Sequence, residues 1–444
     1  MRRRLLAALL SMMALLAVES APAAMPAADL VIRCGMLIDG VSADPRRNAQ
    51  VVVRAGRIES IGRFDRRGQG LPQLDLRGYT CLPGLIDLHT HLTERPADMA
   101  DLRVYFRRKQ PEQLEISRTE AAATLAAGFT SARNVGAYIR GADLEMRDAI
   151  ARGDYPGPRM QVSSYYLTIP GGGGDLLIPE VPEADIPASV RAGIARGPEQ
   201  FRAKAERALA DGADLLKVIA SGAVLAYGGV PGSPEMNPEE IRAVVEAAHA
   251  RGKRVAAHAH GAQSIKDAIL AGVDTIEHAS MIDEEGLQLA RERDVALAMD
   301  VYNGSYIDSE GRRQGWAEEF LRKNLETTEI QRSNFTRAVA LGVPIVFATD
   351  AGVYPHGLNA RQFAIMVERG MTPMQAIQSA TSVAARFMGW DDRVGGLVPG
   401  RHADLIAVRG DPLKNIRLLE HVDVVVQGGG IFKQPAGEAT RIAR

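Results

Sequence analysis

Short apolar runs alternate with amphipathic stretches from Gly84 to about Gly352. The runs are LPGLIDLHT, GFTSARNV, RMQVSSYYL, DLLKVIA, RVAAHAH, VDTIEHAS, VALAMDV and VPIVFATD, eight in all. Each has the length and composition of a buried strand. Between them, NPEEIRAVVEAAHARG sets Ile241, Val244, Val245 and Ala248 on one helical stripe. Asn237 caps this helix, Pro238 suits its first turn, Glu240 completes a capping box and Gly252 ends it. GPEQFRAKAERALADG and TPMQAIQSATSVAARFMG are punctuated similarly. Eight strands, each followed by helical sequence, predict an α/β fold with a (β/α)8 TIM barrel over residues 81–393. An open doubly wound sheet is the competing arrangement.

The pattern changes at both ends. Residues 29–80 contain DLVIRCGMLIDG, AQVVVRAGRIESIG and LPQLDLRGY, and residues 394–434 resume the style in VGGLVPGRHADLIAVRGDPL and VDVVVQGGGIFK. These are short strands with glycine turns, and the two flanks are expected to pair into one small β-sandwich domain. The loops after strands three and four, IPGGGGDLLIPEVPEADIP and SGAVLAYGGVPGSPEM, are long and rich in Gly and Pro. Such loops at a barrel mouth shape substrate access.

Composition narrows the function. The 444 residues are 46% hydrophobic and 24% charged, enough for a substantial core. With a net charge of -1 and no like-charge run longer than the three residues of Arg2–Arg4, the basic stripe of a nucleic-acid binder is missing. Residues 1–23 read as an export signal: three arginines, an apolar run from Leu5 to Val18, then Ala21-Pro22-Ala23. The run is short for a membrane span, an uncleaved anchor being the alternative. The mature protein is therefore expected in a periplasm or secreted. Export permits a bond between the two cysteines, Cys34 and Cys81, but small buried thiols are also common, so pairing stays open.

A barrel enzyme keeps its chemistry at the C-terminal ends of its strands. Strand one ends in His89 and His91, which share a face with Leu85 and Asp87. Strand four carries Lys217, strand five ends in His258, strand six in His278 and strand eight in Asp350. Singly, such a histidine is a hydrogen-bonded core residue, the aspartate a helix cap and the lysine a snorkelling cation. Together, at the tips of five strands, they point to divalent metal ions. An ammonium beside metals in an apolar barrel is disfavoured, and a neutral Lys217 amine can add carbon dioxide. The resulting carbamate is an anionic oxygen ligand able to bridge two cations.

These residues, with PGLIDLHTHL, AHAHG, IEHAS and ATDAG, resemble the amidohydrolase superfamily over nearly the whole mature chain. The motifs are most similar to its imidazolonepropionase-like and Xaa-Pro dipeptidase-like branch, which includes ochratoxin-hydrolysing amidases. The resemblance implies that His89, His91 and Asp350 hold one metal and His258 and His278 the other. Carboxylated Lys217 would bridge them, with zinc the first expectation and a homo-oligomeric assembly common among relatives. Asp350 would take a proton from a metal-activated hydroxide and return it to the leaving nitrogen. His260 would contact substrate or the developing oxyanion, a supporting role being the alternative. Tyr227 resembles a carboxylate-binding loop residue in related dipeptidases, with simple packing as the alternative. His356 would line the mouth, and Asp87 would orient His89. His249, His402 and His421 read as structural. Relatives often carry a histidine in a GGHG-like loop where this chain has Gly173, so any contact it makes is not carried over. The expected activity is hydrolysis of the amide of an N-acyl amino acid or dipeptide. Opening of a cyclic amide and a non-catalytic scaffold barrel are the alternatives.

Overall fold

The computed structural model describes residues 28–435 and 441–442, so the expected export signal lies outside the described residues. The N-terminal flank forms β1 (Leu30–Leu37), β2 (Arg46–Arg54), β3 (Arg57–Arg63) and β4 (Pro72–Pro83). Parallel strands β5 (Leu85–Thr90), β6 (Phe129–Asn134) and β7 (Arg159–Val162) make one sheet. A second parallel sheet holds β8 (Tyr166–Leu167), β9 (Leu215–Ile219), β10 (Arg254–Gly261), β11 (Thr275–Met281), β12 (Ala296–Ala298) and β13 (Ile345–Val346). The C-terminal flank adds β14 (Leu405–Arg409), β15 (Val424–Gln427), β16 (Gly430–Lys433) and β17 (Arg441–Ile442).

The parallel stretches follow the order of the eight apolar runs. The third run is split, because Ser164 adopts φ 69° and its N–H bonds Asp143 Oδ2 at 2.8 Å. At the other edge, Leu88 N–H donates to Phe347 O (3.0 Å), Asp350 N–H to His89 O (2.8 Å) and His91 N–H to Ala351 O (2.7 Å). These bonds join β5 to the segment leaving β13. On β9, Leu216 and Val218 pack in one large core with helix residues such as Phe201, Ile241 and Val244. Leu215 instead meets Ala256 and Val135, and Lys217 and Ile219 line a cavity. The alternation expected of LLKVI is thus observed, with every residue of the strand buried.

The helix Pro238–His249 has the expected capping box, Asn237 Oδ1 accepting from Glu240 N–H at 2.9 Å and Glu240 Oε2 from Asn237 N–H at 3.0 Å. TPMQAIQSATSVAARFMG breaks into Pro373–Ser379 and Ser382–Met388. The carbonyls of Ser379 and Ala380 accept instead from Phe347 N–H (2.9 Å) and Ile86 N–H (2.8 Å), which ends the helix under the β5 seam.

Strands of the two flanks lie in one continuous sheet of order β16-β15-β14-β4-β1-β2-β3, with β17 also on β4. Ile32, Cys34, Val51, Val53, Leu76, Leu405 and Val426, from most of its strands, share one core, so the sheet curls over its own inner face. Leu82, Ile406, Val408 and Val425, on the other face, join the large core. Cys34 and Cys81 form a disulfide between β1 and β4, Cα–Cα 6.0 Å, which decides the pairing the sequence left open. The Cys34→Ala/Cys81→Ala double variant is expected to lose about 2–5 kcal/mol in urea unfolding. An unchanged midpoint would show that the bond does not hold this sheet.

Candidate active site

Two clusters of ligand atoms lie side by side at the ends of the parallel strands. His89, His278 and Asp350 bring their atoms within 4.8 Å of one another, and so do His258, His260 and His278. His91 joins the first: its Nε2 is 3.1 Å from Asp350 Oδ1 and 3.3 Å from His89 Nε2, which is itself 3.3 Å from Asp350 Oδ1. Lys217 lines the same cavity. All seven side chains are buried.

One of them, His278, breaks the rule of strand alternation. Glu277 and His278 are neighbours, yet both turn inward: Glu277 Oε2 lies 2.8 Å from His89 Nδ1 and the His278 ring is 5.0 Å from that of His89. His278 has φ 69°, which swings its ring to the inner side, and Asp350 has φ 58°. Non-glycine residues in this region cost about 1–3 kcal/mol each and persist where surrounding bonds impose them. Here Gln331 Nε2 holds His278 O at 3.1 Å and His89 O holds Asp350 N–H.

Each of several imidazoles is oriented from behind. His278 Nδ1 is 3.0 Å from Asp300 Oδ1, which also accepts from Gln331 Nε2 at 2.8 Å. Asn303 Nδ2 bridges Asp300 Oδ2 (3.0 Å) and Asp350 Oδ2 (2.8 Å). His260 Nδ1 is 2.8 Å from Ser280 Oγ, and its ring stacks on His278 at 4.7 Å. Tyr166 Oη lies 3.1 Å from both His91 Nδ1 and Glu94 Oε1. Glu277, though not aligned for a hydrogen bond with His89, pairs with buried Arg133 at 2.8 Å.

Burial decides the charge states. It lowers His89 and pushes His258 well below the ordinary imidazole value and His260 to about 3. Such rings stay neutral, the state in which they ligate metals. Burial also brings Lys217 down to about 8, within reach of a neutral amine. Burial opposes ionisation of Asp350 and Glu277, but His89 beside the first and Arg133 beside the second outweigh it and hold both well below the usual carboxylate range. Burial raises Glu94 to about 7. His258 Nε2 is buried with no partner among the described residues. An orphaned ring nitrogen among neutral imidazoles and carboxylates fits a divalent cation.

Three residues sit elsewhere than the sequence suggested. Tyr227 is absent from the cavity wall and packs on Phe320 with ring centroids 4.7 Å apart. His356 is also absent from the wall; its Nε2 is 3.2 Å from His91 O and its Nδ1 3.1 Å from Thr124 Oγ1, so it braces the backbone behind His91. Asp87 bonds the His89 backbone N–H (3.2 Å) and Thr349 Oγ1 (2.6 Å), not the His89 ring. Gly173 and Gly174 do line the cavity. The sequence reading passed over Glu277, Asp300, Arg133, Asn303, Gln331, Tyr166 and Glu94. For Glu277 and Asp300 the signal was a carboxylate inside an apolar run, in VDTIEHAS and VALAMDV.

Paired clusters of this kind suit a metal-dependent hydrolase. Residues 80–431 match the amidohydrolase family, and the chain belongs to it. It is 30% identical over 430 residues to ochratoxinase of Aspergillus niger, covering 91% of this chain and 87% of that one. A crystal structure of a Xaa-Pro dipeptidase with bound methionine superposes with TM-score 0.85 and 34% identity, over 91% of this chain and all of the other. Imidazolonepropionase of Geobacillus thermodenitrificans is 26% identical over 203 residues, 44% of this chain and 43% of that one. The resemblance read from the motifs is borne out, and the protein is an enzyme acting on amide bonds.

Removing Arg133 leaves Glu277 charged and buried without its cation. Arg133→Met is expected to cost about 3–5 kcal/mol in urea unfolding. A loss below about 1 kcal/mol would mean that the pair is not what stabilises this layer.

Proposed function

We propose that the protein hydrolyses the amide bond of N-acyl amino acids or dipeptides at a binuclear metal centre, within a closed (β/α)8 barrel carrying a small β domain (29–80 plus 394–434). The observation that carries this reading is the convergence of two three-residue ligand clusters sharing His278. Residues His89, His91 and Asp350 would hold one ion and His258 and His278 the other, with a carbamate on Lys217 between them. Two divalent ions bound there, zinc first among candidates, would acidify a water and polarise the substrate carbonyl. Substrate class is supported by the relatives, whose names include an ochratoxinase and a Xaa-Pro dipeptidase.

The chain's own groups then have defined tasks. Asp350 takes the proton of the attacking water and passes it to the leaving nitrogen. Asn303, bonded to its Oδ2, fixes the orientation of that carboxylate. His260, with Nδ1 engaged by Ser280, keeps Nε2 for the substrate oxygen. Met99, Tyr138, Leu225, Ile307 and Val353 give the cavity an apolar wall for the acyl group or side chain. Export fits the first residues of the chain and the disulfide.

Metal analysis is expected to find about two divalent ions per chain, and chelation to abolish activity. Lys217→Ala should lose both metal and activity, with partial recovery in short carboxylic acids; full metal content in that variant removes the carbamate. Only the neutral amine adds carbon dioxide, and Lys217 becomes neutral as pH rises through about 8. Metal loading of stripped protein in bicarbonate should therefore rise over that interval, and loading that ignores pH would argue against it. Asp350→Asn is expected to lower kcat by about 10²–10⁴-fold. N-acyl amino acids should be hydrolysed in preference to their methyl esters. Turnover of esters and cyclic amides but not free acids would overturn the substrate assignment.

A further inference from the structure

We propose that Glu94, with Tyr138 beside it, is a receptor for a cationic nitrogen of the substrate, so that the site takes dipeptides with a free α-amino group ahead of N-acylated ones. This rests on the amide-hydrolase reading above and selects within it.

Glu94 is only 5% exposed and lies in the cavity wall with Met99, Tyr138 and Tyr166. Its Oε1 accepts from Tyr166 at 3.1 Å, while Oε2 has no hydrogen-bond donor among the described residues. The other carboxylates of the wall are committed. Asp300 accepts from Asn303 and Gln331 and faces His278, and Asp350 accepts from Asn303 against His89 and His91. No arginine lines the cavity among the described residues, and its one lysine, Lys217, belongs to the ligand set. The nearby Arg95 and Arg108 are paired with Asp98. Glu94 Oε2 is not sealed off but keeps accessible surface in the cavity wall, so a cation entering the site can meet it, and the burial of the rest of the residue favours such a partner.

The surroundings suit an ammonium. Tyr138 stands between Tyr166 and Tyr105, ring centroids 5.0 and 4.8 Å away, and offers an aromatic surface beside the carboxylate. The distance to the chemistry is also right in kind. Glu94 Oε1 is 4.0 Å from His91 Nδ1, and the far nitrogen of that same ring meets Asp350. Glu94 is thus one imidazole away from Asp350, the group assigned to move the proton. In a dipeptide the α-ammonium is two bonds from the scissile carbonyl carbon, whereas an N-acylated residue carries no charge there.

Glu94 could instead serve only to hold Tyr166 and, through it, His91. Glu94→Gln separates the two roles, because its amide oxygen still accepts from Tyr166. The probe is a hydrolysis-resistant ketomethylene dipeptide analogue, with its amine free or acetylated, titrated calorimetrically into the metal-loaded enzyme. The free-amine analogue should bind about 10-fold tighter or better, and Glu94→Gln should erase the difference while retaining its metal. Equal affinity of the two analogues for the wild type overturns the proposal. So does a variant that weakens both alike, which makes Glu94 a positioning residue for His91. Binding is read without turnover, so a failure to hydrolyse either substrate class would count against the amide-hydrolase reading alone.

Discussion

Backbone pairing between β5 and the segment leaving β13 fixes where the chemistry can occur. His89 O accepts from both Thr349 N–H (3.3 Å) and Asp350 N–H (2.8 Å), and His91 N–H donates to Ala351 O. All these groups are buried, where an unpaired peptide group is expensive, so the register is not free to slip. Asp87 clamps the same seam, its carboxylate accepting from Thr349 Oγ1, Asn359 Nδ2 and the His89 N–H. Burial raises that carboxyl to about 7, yet these three bonds, from β5, the segment leaving β13 and Asn359, keep it in place. The consequence for chemistry is direct. Asp350 Oδ1 comes to rest between two imidazoles that lie some 260 residues away in sequence.

Pairing sets positions, and a layer of buried partners sets ring orientations. His278 leans on Asp300, His260 on Ser280 and His91 on Tyr166 and Glu94. Engaging Nδ1 sets the ring angle in each case, and for His278, whose partner is a carboxylate, it also fixes the tautomer and leaves Nε2 free. The helix Glu318–Leu341 supports this layer with Asn324, Thr327, Gln331 and Asn334, all buried. Gln331 and Asn334 bind the carbonyls of His278 and Ser280, holding open the left-handed turn that re-aims His278.

Periodicity made the architecture legible, because strand and helix periods respond to burial and burial is what the fold optimises. The alternation in LLKVI and the cap at Asn237 appear as the sequence implied. What escaped were features decided by partners distant in sequence. The break at Ala380 follows from a bond to Ile86, and the split at Ser164 from one to Asp143. The disulfide joins two strands of the N-terminal flank at a sequence separation of 47, and the single curled sheet depends on flanks that meet only in space. In the site, the strand-tip residues stood out because polar groups at the end of apolar runs are conspicuous. Glu277 was hidden by alternation, which assigns it to the face opposite His278; only the positive φ at 278 reconciles them. Tyr227 was suggested by its loop, but the loop's course puts Leu225 on the cavity and Tyr227 against Phe320.

The cavity therefore has two parts with different origins. Its floor comes from strand ends locked by the seam, and its roof from loops that pack together in one apolar cluster containing Met99, Leu176, Ile307 and Val353. The glycines of the third loop mark where roof meets floor. A Cβ at Gly173 would lie 2.9 Å from Ala223 Cβ, and one at Gly174 would lie 3.0 Å from Ile219 and Tyr166. A side chain at Gly173 thus requires the loop after β9 to retreat. That loop has no slack: a Cβ on Gly222 would sit 2.2 Å from Val230 O, and Lys323 ties Ala226 O at 2.7 Å. Substituting one glycine moves two loops together, so the shape of the roof is a joint property of both. A chain that places a histidine at this point must differ in the facing loop as well, while the floor beneath can stay the same.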